Sequence, residues 1–213
     1  MLEKLPDVVG HVLRGQRAGL DKTAFQAVDL RAGMAALTVS SLAFVDHAPI
    51  PARYTADGPG VSPPLQWSGV PSDAASLVLI VEDADAPTPQ PLVHAIVVGL
   101  DGADGALAEA ALPSRDHDGS GLRVGRNSYL QAAWLPPDPP PGHGVHRYVF
   151  QVFALEAGAS FDGEPGRDAL LEAIRDHGLA SGCLVGTYER PDTSITVGDE
   201  ERLPAVLPPL AAA

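Results

Sequence analysis

The chain has 213 residues, and its 14 lysines and arginines against 27 aspartates and glutamates give a formal net charge of −13. Nucleic acids and anionic membrane surfaces bind proteins largely through lysine and arginine, so neither is an expected partner. Cys183 is the sole cysteine, which excludes an internal disulfide framework and a cysteine-rich zinc site. With 45% apolar residues, 22 glycines and 21 prolines, the composition is typical of a globular protein of short strands and ordered turns.

Residues 1–36 are predicted to form a helical extension. An amphipathic helix is indicated by the apolar stripe Leu5, Val8, Val9, Val12 and Leu13. Such a short helix is unstable alone in water, so we expect it to pack on the protein's own core or on a second copy of the chain. A solvated face is predicted for the basic residues that follow, Arg14, Arg17 and Lys22. No apolar run is long enough to cross a membrane and acidic residues interrupt positions 1–10, so we expect a cytoplasmic protein.

The segment 37–190 is predicted to be a single, mainly β domain. Its clearest strands are 76–81, 94–100 and 147–155, and the last is apolar on both faces, as expected of a central strand. Proline-rich loops at 86–91 and 136–141 separate the strands. One helix is predicted over 167–177, ending at Gly178. Strands and helices do not alternate, which disfavours a doubly wound sheet. Residues 191–213 are predicted to be a proline-rich, loose C-terminal tail.

Ionisable residues stand at the ends of all three predicted strands. Asp83 and Asp85 follow the first strand, and His94 opens the second. His146 and Tyr148 begin the third, after a loop that prolines stiffen and glycines bend. A solvated turn is the alternative for the aspartates, and a structural role is the alternative for His94.

Together these segments resemble the phosphatidylethanolamine-binding protein family, and within it the bacterial Raf kinase inhibitor-like branch. The resemblance covers residues 37–190. It rests on motifs in chain order: Ile50 Pro51 to Tyr54 Thr55, Asp57 Gly58, Ser62 Pro63 Pro64 Leu65, Trp67, Val81 to Pro87, His94, Pro139 to Tyr148, and Leu184 to Tyr188.

The resemblance implies a β-sandwich in which a large sheet packs on a smaller one, with a few peripheral helices. It also implies a binding pocket for a small anion, lined by Asp83, His94, Pro140 and His146, with Asp85 as the second acid of the motif and Tyr148 as the pocket tyrosine. Arg147 is expected to form a structural ion pair, and the branch suggests a homodimer.

Several positions depart from the family pattern. Ala84 replaces the proline between the two motif aspartates, and Ala95 replaces a common aromatic residue. Trp134 and Asp138 also stand where the family has other residues. Asp138 is expected to repel an anion near the mouth of the pocket, and Arg126 is expected to offset that charge.

Three functions are compatible with this sequence. The first is a non-enzymatic protein that binds a small anion, a phospholipid head group, or a phosphorylated or acidic peptide, with no cofactor and no resident metal. The alternative is a hydrolase, metal-assisted or not, that uses the same aspartates and histidines. The third is a regulator that acts through a protein partner.

Overall fold

Strands account for most of the regular structure in this computed structural model, which describes residues 7–28, 35–114 and 116–190. The helices are α1 (Asp7–Leu13), α2 (Ala24–Ala27) and α3 (Arg167–His177). The strands are β1 (Ala35–Ala36), β2 (Thr38–Ser40), β3 (Ala48–Pro49), β4 (Leu65–Ser68), β5 (Ser76–Asp83), β6 (Leu92–Asp101), β7 (Gly105–Leu107), β8 (Arg123–Gly125), β9 (His146–Leu155) and β10 (Gly178–Tyr188).

The larger sheet has the strand order β1-β10-β9-β5-β6-β8, and β3 also pairs with β10. The strands β1 and β3 run parallel to β10, whereas the other neighbours are antiparallel. As predicted, β9 is central and is buried along nearly its whole length. The three predicted strands and the helix over 167–177 are therefore confirmed, the strands extending by one or two residues at some ends.

Apolar side chains fill both sides of the larger sheet. On one face the small sheet β2-β4-β7 covers a core that includes Trp67 and Phe150. On the other face α3 places Leu170 and Ile174 against Phe153. The predicted β-sandwich with few peripheral helices is confirmed. Among the helices in the described part of the chain, none has the length and apolar character needed to cross a membrane.

The strand β10 is the main element that sequence periodicity did not predict. It starts at Gly178, the residue that also ends α3. Glycines and other small residues interrupt the apolar pattern of this strand, so periodicity does not identify it. Close packing requires two of these glycines. A Cβ atom at Gly182 would lie 2.3 Å from the Leu37 carbonyl oxygen, and one at Gly186 would lie 2.5 Å from Ile50 Cγ1.

The N-terminal helix forms, but its predicted apolar stripe is wrong at Val12, which is 75% exposed. The helix instead meets the core through its backbone at Gly10, where an added Cβ would lie 1.9 Å from the carbonyl oxygen of Pro141. Leu5 and the predicted C-terminal tail lie outside the described residues.

The basic residues after α1 are exposed, as the sequence predicted, but they are also tied to the core. Each donates a hydrogen bond to a backbone carbonyl of the core: Arg14 to Gly142, Arg17 to His143 and Val145, and Lys22 to Pro89. The segment is therefore held against two loops of the sandwich.

Candidate functional site

The centre of the candidate site is a carboxylate-imidazole pair at the ends of two neighbouring strands. The register pairs Asp83 on β5 with Tyr148 on β9, which brings His146 to the same sheet end. Oδ2 of Asp83 lies 2.7 Å from Nδ1 of His146, and the two residues are 4% and 1% exposed. The other oxygen, Oδ1, accepts the backbone N–H of Asp85 at 2.8 Å. Both carboxylate oxygens are therefore committed to fixed partners.

His143, which the sequence analysis did not assign to the site, continues this chain of hydrogen bonds. Its Nε2 donates to the carbonyl oxygen of Leu13 at 2.8 Å, since a carbonyl can only accept. Burial, and then the nearby His146, lower the pKa of His143 and favour its neutral ring. Its Nδ1 therefore accepts from Nε2 of His146 at 2.6 Å. One proton thus lies between His146 and His143, and another is held between His146 and Asp83.

A second group of side chains lies beside this pair and has unpartnered polar atoms. The rings of His94 and Tyr148 are 5.1 Å apart in an edge-on arrangement, and those of His94 and Trp134 are 6.2 Å apart. Three atoms have no hydrogen-bond partner although they are buried: Nε2 of His94, Oη of Tyr148 and Nε1 of Trp134. Buried polar groups are nearly always satisfied, so three such atoms on neighbouring rings mark an unusual place in the fold.

The protonation states of these rings follow from their surroundings. His94 donates from Nδ1 to the Leu135 carbonyl oxygen at 2.6 Å, and burial lowers its pKa in spite of the nearby Asp83. The neutral ring therefore presents a lone pair at Nε2. Burial, reinforced by Asp83, raises the pKa of Tyr148 well above its usual value, so its hydroxyl keeps its proton.

Asp85, the second acid of the motif, is directed away from this group. Its buried carboxylate accepts three hydrogen bonds from Arg147, at 2.7 to 2.8 Å, and forms an ion pair with Arg17 at 2.9 Å. Burial opposes its ionisation, but the bonds from Arg147 and Arg17 outweigh burial and lower the pKa of Asp85. Arg147 is the ion-pairing residue that the sequence predicted.

The loop before β9 is fixed by a hydrogen bond to Pro140, a predicted site residue, and by Arg190, which was not assigned from the sequence. Pro140 is buried and its carbonyl oxygen accepts the His143 N–H at 3.2 Å. Arg190 donates to Asp138 at 2.8 Å and to the Pro139 carbonyl oxygen at 2.9 Å. The expected role of Arg126 is wrong, because Arg126 donates to the Glu164 carbonyl oxygen, while Arg190 pairs with Asp138.

Ala84, between the two motif aspartates, is held in position by hydrogen bonds of its backbone. The N–H of Ala84 donates to the Arg147 carbonyl oxygen at 3.0 Å, and its carbonyl oxygen accepts from Gly19 at 2.8 Å. A proline at this position would lack the first of these bonds. The loop shape is therefore maintained by hydrogen bonds where the family pattern has a rigid ring.

The structure thus brings Asp83, His94, His146 and Tyr148 together and turns Asp85 to a structural ion pair. The sequence analysis missed the site roles of His143 and Trp134. A signal for the first was present, since His143 stands between two glycines in the segment singled out as unusual. Among the described residues, no three His, Cys, Asp or Glu side chains are grouped so that they would hold a metal ion.

Comparisons with known sequences identify relatives of this core. The sequence model of the family described as phosphatidylethanolamine-binding protein matches residues 40–189. A UPF0098 protein of Methanothermobacter thermautotrophicus is 37% identical over 156 residues, covering 72% of this chain and 99% of the relative. A UPF0098 protein of Mycobacterium tuberculosis is 40% identical over 153 residues, covering 72% of this chain and 70% of the relative.

Solved structures agree with these sequence matches. A Chlamydia trachomatis structure described as a phosphatidylethanolamine-binding protein homolog is 38% identical with a TM-score of 0.65, and the match covers 73% of this chain and 98% of that one. Escherichia coli YbcL, described as a member of the mammalian family, is 26% identical with a TM-score of 0.65, covering 73% and 99%. The chain belongs to the phosphatidylethanolamine-binding protein family.

Proposed function

We propose that this protein is a non-enzymatic binding protein for a small phosphate-bearing anion, held by Asp83, His94, Pro140, His146 and Tyr148. The ligand is a free phosphate, a phospholipid head group or a phosphorylated peptide. The observation that carries the proposal is the trio of buried, unpartnered polar atoms on His94, Tyr148 and Trp134. They lie on contacting rings beside the Asp83–His146 pair.

The chemistry of these atoms suits an oxyanion. The Tyr148 hydroxyl and the Trp134 indole N–H are donors that a phosphate oxygen accepts. A negative ligand also favours the protonated form of His94, which turns its bare Nε2 into a third donor. Each charge-assisted bond contributes about 1.5 to 3 kcal/mol. After the cost of association is subtracted, two or three such bonds give weak affinity unless the rest of the ligand adds contacts.

Neighbouring carboxylates do not oppose an anion in this arrangement. Asp85 is paired with Arg147 and Arg17, and Asp138 is paired with Arg190. Asp83 shares a proton with His146. An acidic protein therefore keeps the immediate surroundings of the three unpartnered atoms free of an unpaired negative charge, which a phosphate site requires.

Isothermal titration with inorganic phosphate and with phosphoethanolamine tests the proposal. We expect binding heat with the wild-type protein near pH 6.5 and its loss in His94→Phe, because the variant keeps a ring but has no nitrogen. Stronger binding of phosphoethanolamine than of phosphate would identify contacts with a head group.

A matched control is His117→Phe, which changes an exposed histidine in the turn around residue 117. This variant is expected to bind like the wild type. Equal heats in all three proteins, with folding of His94→Phe verified by thermal unfolding, would contradict the proposal. Among the described residues no specific observation favours the hydrolase that the sequence left open.

Homodimerisation, suggested by the family branch, remains a prediction. Light scattering of the full chain and of a chain that lacks residues 1–30 tests it. A dimer mass for the full chain is the expected result, and a monomer mass for both chains would contradict it.

A further inference from the structure

The segment before the family match lies on the candidate site. The family match begins at residue 40. We call residues 10–19, which precede it, the N-terminal strap. Its helical part meets the Pro141–His143 backbone at Gly10, so closely that an added Cβ would be 1.9 Å from the Pro141 carbonyl oxygen. The carbonyl oxygen of Leu13 then accepts the Nε2 hydrogen of His143.

The rest of the strap fastens to the loops on either side of the site. Arg17 donates to the Val145 carbonyl oxygen at 2.8 Å and pairs with Asp85 at 2.9 Å. The N–H groups of Ala18 and Gly19 donate to the carbonyl oxygens of Ala86 and Ala84, at 3.0 and 2.8 Å. The strap therefore joins the loop after β5 to the loop before β9, the two loops that adjoin Asp83 and His146.

These contacts determine whether the ring nitrogens of His146 are available to a ligand. Its Nδ1 is bonded to Asp83 and its Nε2 is bonded to His143, whose ring is completely buried. His143 in turn is held by Leu13 of the strap. While these contacts persist, no N–H of His146 is available to a ligand. The side chain of His143 occupies the hydrogen-bonding position that an oxyanion would take.

We propose that the N-terminal strap and His143 form an autoinhibitory latch, in which the ligand and His143 compete for Nε2 of His146. The proposal rests on the proposed function. A ligand that accepts this N–H must move His143, and moving His143 breaks its bond to Leu13 and weakens the strap. Conversely, anything that lifts the strap frees His143 and raises the affinity for the anion, since the coupling is reciprocal. A latch closed nine-tenths of the time lowers the apparent affinity about ten-fold.

Two glycines in the strap allow a matched test. Gly10→Ala introduces a Cβ that collides with the Pro141 carbonyl oxygen, whereas Gly15→Ala introduces one with no atom within 4 Å. Alanine favours helix over glycine, so Gly10→Ala does not unwind α1 by its own propensity. We expect Gly10→Ala to bind inorganic phosphate about ten-fold more tightly than the wild type, and Gly15→Ala to bind like the wild type.

A second variant and a second readout keep the test independent of how Gly10→Ala relaxes. His143→Ala removes the competing ring directly and is also expected to bind phosphate more tightly. Hydrogen exchange of the Ala18 and Gly19 amides reports strap opening without any ligand, and it is expected to accelerate in Gly10→Ala and not in Gly15→Ala. Added phosphate is expected to accelerate it in the wild type.

The outcomes separate the two proposals. Equal phosphate affinity in the wild type, Gly10→Ala and His143→Ala would overturn the latch and leave the proposed function standing. Strap amides that exchange no faster when phosphate is bound to the wild type would also overturn it. Absence of phosphate binding in all the variants, Gly10→Ala and His143→Ala included, would overturn the proposed function and the latch together.

Discussion

Glu82 and Asp83 are adjacent at the end of β5, and their side chains lie on opposite faces of the sheet. The two faces differ in how completely the buried polar atoms are hydrogen-bonded. On one face, the buried carboxylate of Glu82 accepts from the Ala24 N–H at 2.6 Å, from Gln151 Nε2 at 2.9 Å and from Arg167 Nε at 2.6 Å. On the other face, Asp83 belongs to a group whose neighbours His94, Tyr148 and Trp134 have unpartnered atoms.

This difference distinguishes a structural polar network from the candidate binding site. The Glu82 network fastens α2 and α3 to the sheet, and its bonds are all made within the protein. A buried network that is complete contributes to stability and leaves nothing for a ligand. The network on the Asp83 face is incomplete at three atoms, so part of its hydrogen-bonding capacity is directed to something other than the fold. Two carboxylates that are neighbours in sequence therefore have different purposes.

The largest expected effect is on the complete network. Glu82→Ala leaves the Arg167 guanidinium without its carboxylate partner, and the loss of one partner of a buried ion pair destabilises a protein by about 3 kcal/mol. Phosphate binding is expected to be unchanged in the folded variant. Urea unfolding measures the loss, with Glu172→Ala, an exposed change on α3, as the control. A loss no greater than that of the control would show that the network on this face is not structural.

The opposite result is expected for Tyr148→Phe on the incomplete face. This change removes a buried hydroxyl that has no partner, so the free energy of unfolding should not fall. Phosphate affinity should fall by about ten-fold or more, because a charge-assisted hydrogen bond is lost.

Tyr54→Phe is the matched control for this prediction. The Tyr54 hydroxyl donates to Glu109 at 2.8 Å, away from the residues of the candidate site. We expect its removal to lower stability slightly and to leave phosphate affinity unchanged. If Tyr148→Phe lost stability and kept its affinity, the incomplete network would have no connection with binding.

The smallest expected effect is a dependence on pH that arises mainly from the incomplete face. Burial lowers the pKa of His94 and of His143 below 6.5, so the unfolded chain binds more protons than the folded one as the pH falls through this value. Their contribution to stability is therefore present above about pH 6.5 and is lost below it. Thermal unfolding at pH 7.5 and 5.5 is expected to show this loss, and a smaller one in His94→Phe.

Ligand binding is expected to respond to pH in the other direction. Since phosphate favours protonated His94, its affinity should fall as the pH rises through the range in which His94 loses its proton. The groups that act on this ring are Asp83, His146 and Asp138. Affinity that is constant between pH 5.5 and 7.5 would show that His94 does not take up a proton on binding.

Sequence patterns predicted a mainly β domain because alternation and apolar runs report burial directly, and the family resemblance implied the sandwich. The resemblance to the family, carried over residue by residue, implied that Asp83, His94, His146 and Tyr148 share one pocket. Hydrogen-bond partners that are far apart in the sequence could not be predicted in this way. The bond between Leu13 and His143 spans 130 positions, and nothing local to either residue indicates it.

The sequence patterns also did not indicate which charged side chains form ion pairs with each other. Alternation along β5 sends Glu82 and Asp83 to opposite faces, but it does not say that Arg167 meets one and His146 the other. Arg190 was missed for the same reason, since its partner Asp138 lies 52 positions away on another loop. Such contacts depend on the three-dimensional path of loops, which periodicity does not describe.

The position of β10 has a consequence for how the chain is made. This strand lies between β9 and the early strands β1 and β3, so Ala35 aligns with Ala180 and Ala48 with Gly186. During synthesis, the first strands leave the ribosome long before the strand on which they pair. Until residues 178–188 emerge, one edge of β9 has no neighbour, and the nascent chain carries an open edge that chaperones or other nascent chains can contact. Closing contacts across almost the whole domain is also entropically slow. Completion of the large sheet therefore waits for the glycine-rich strand that periodicity did not predict.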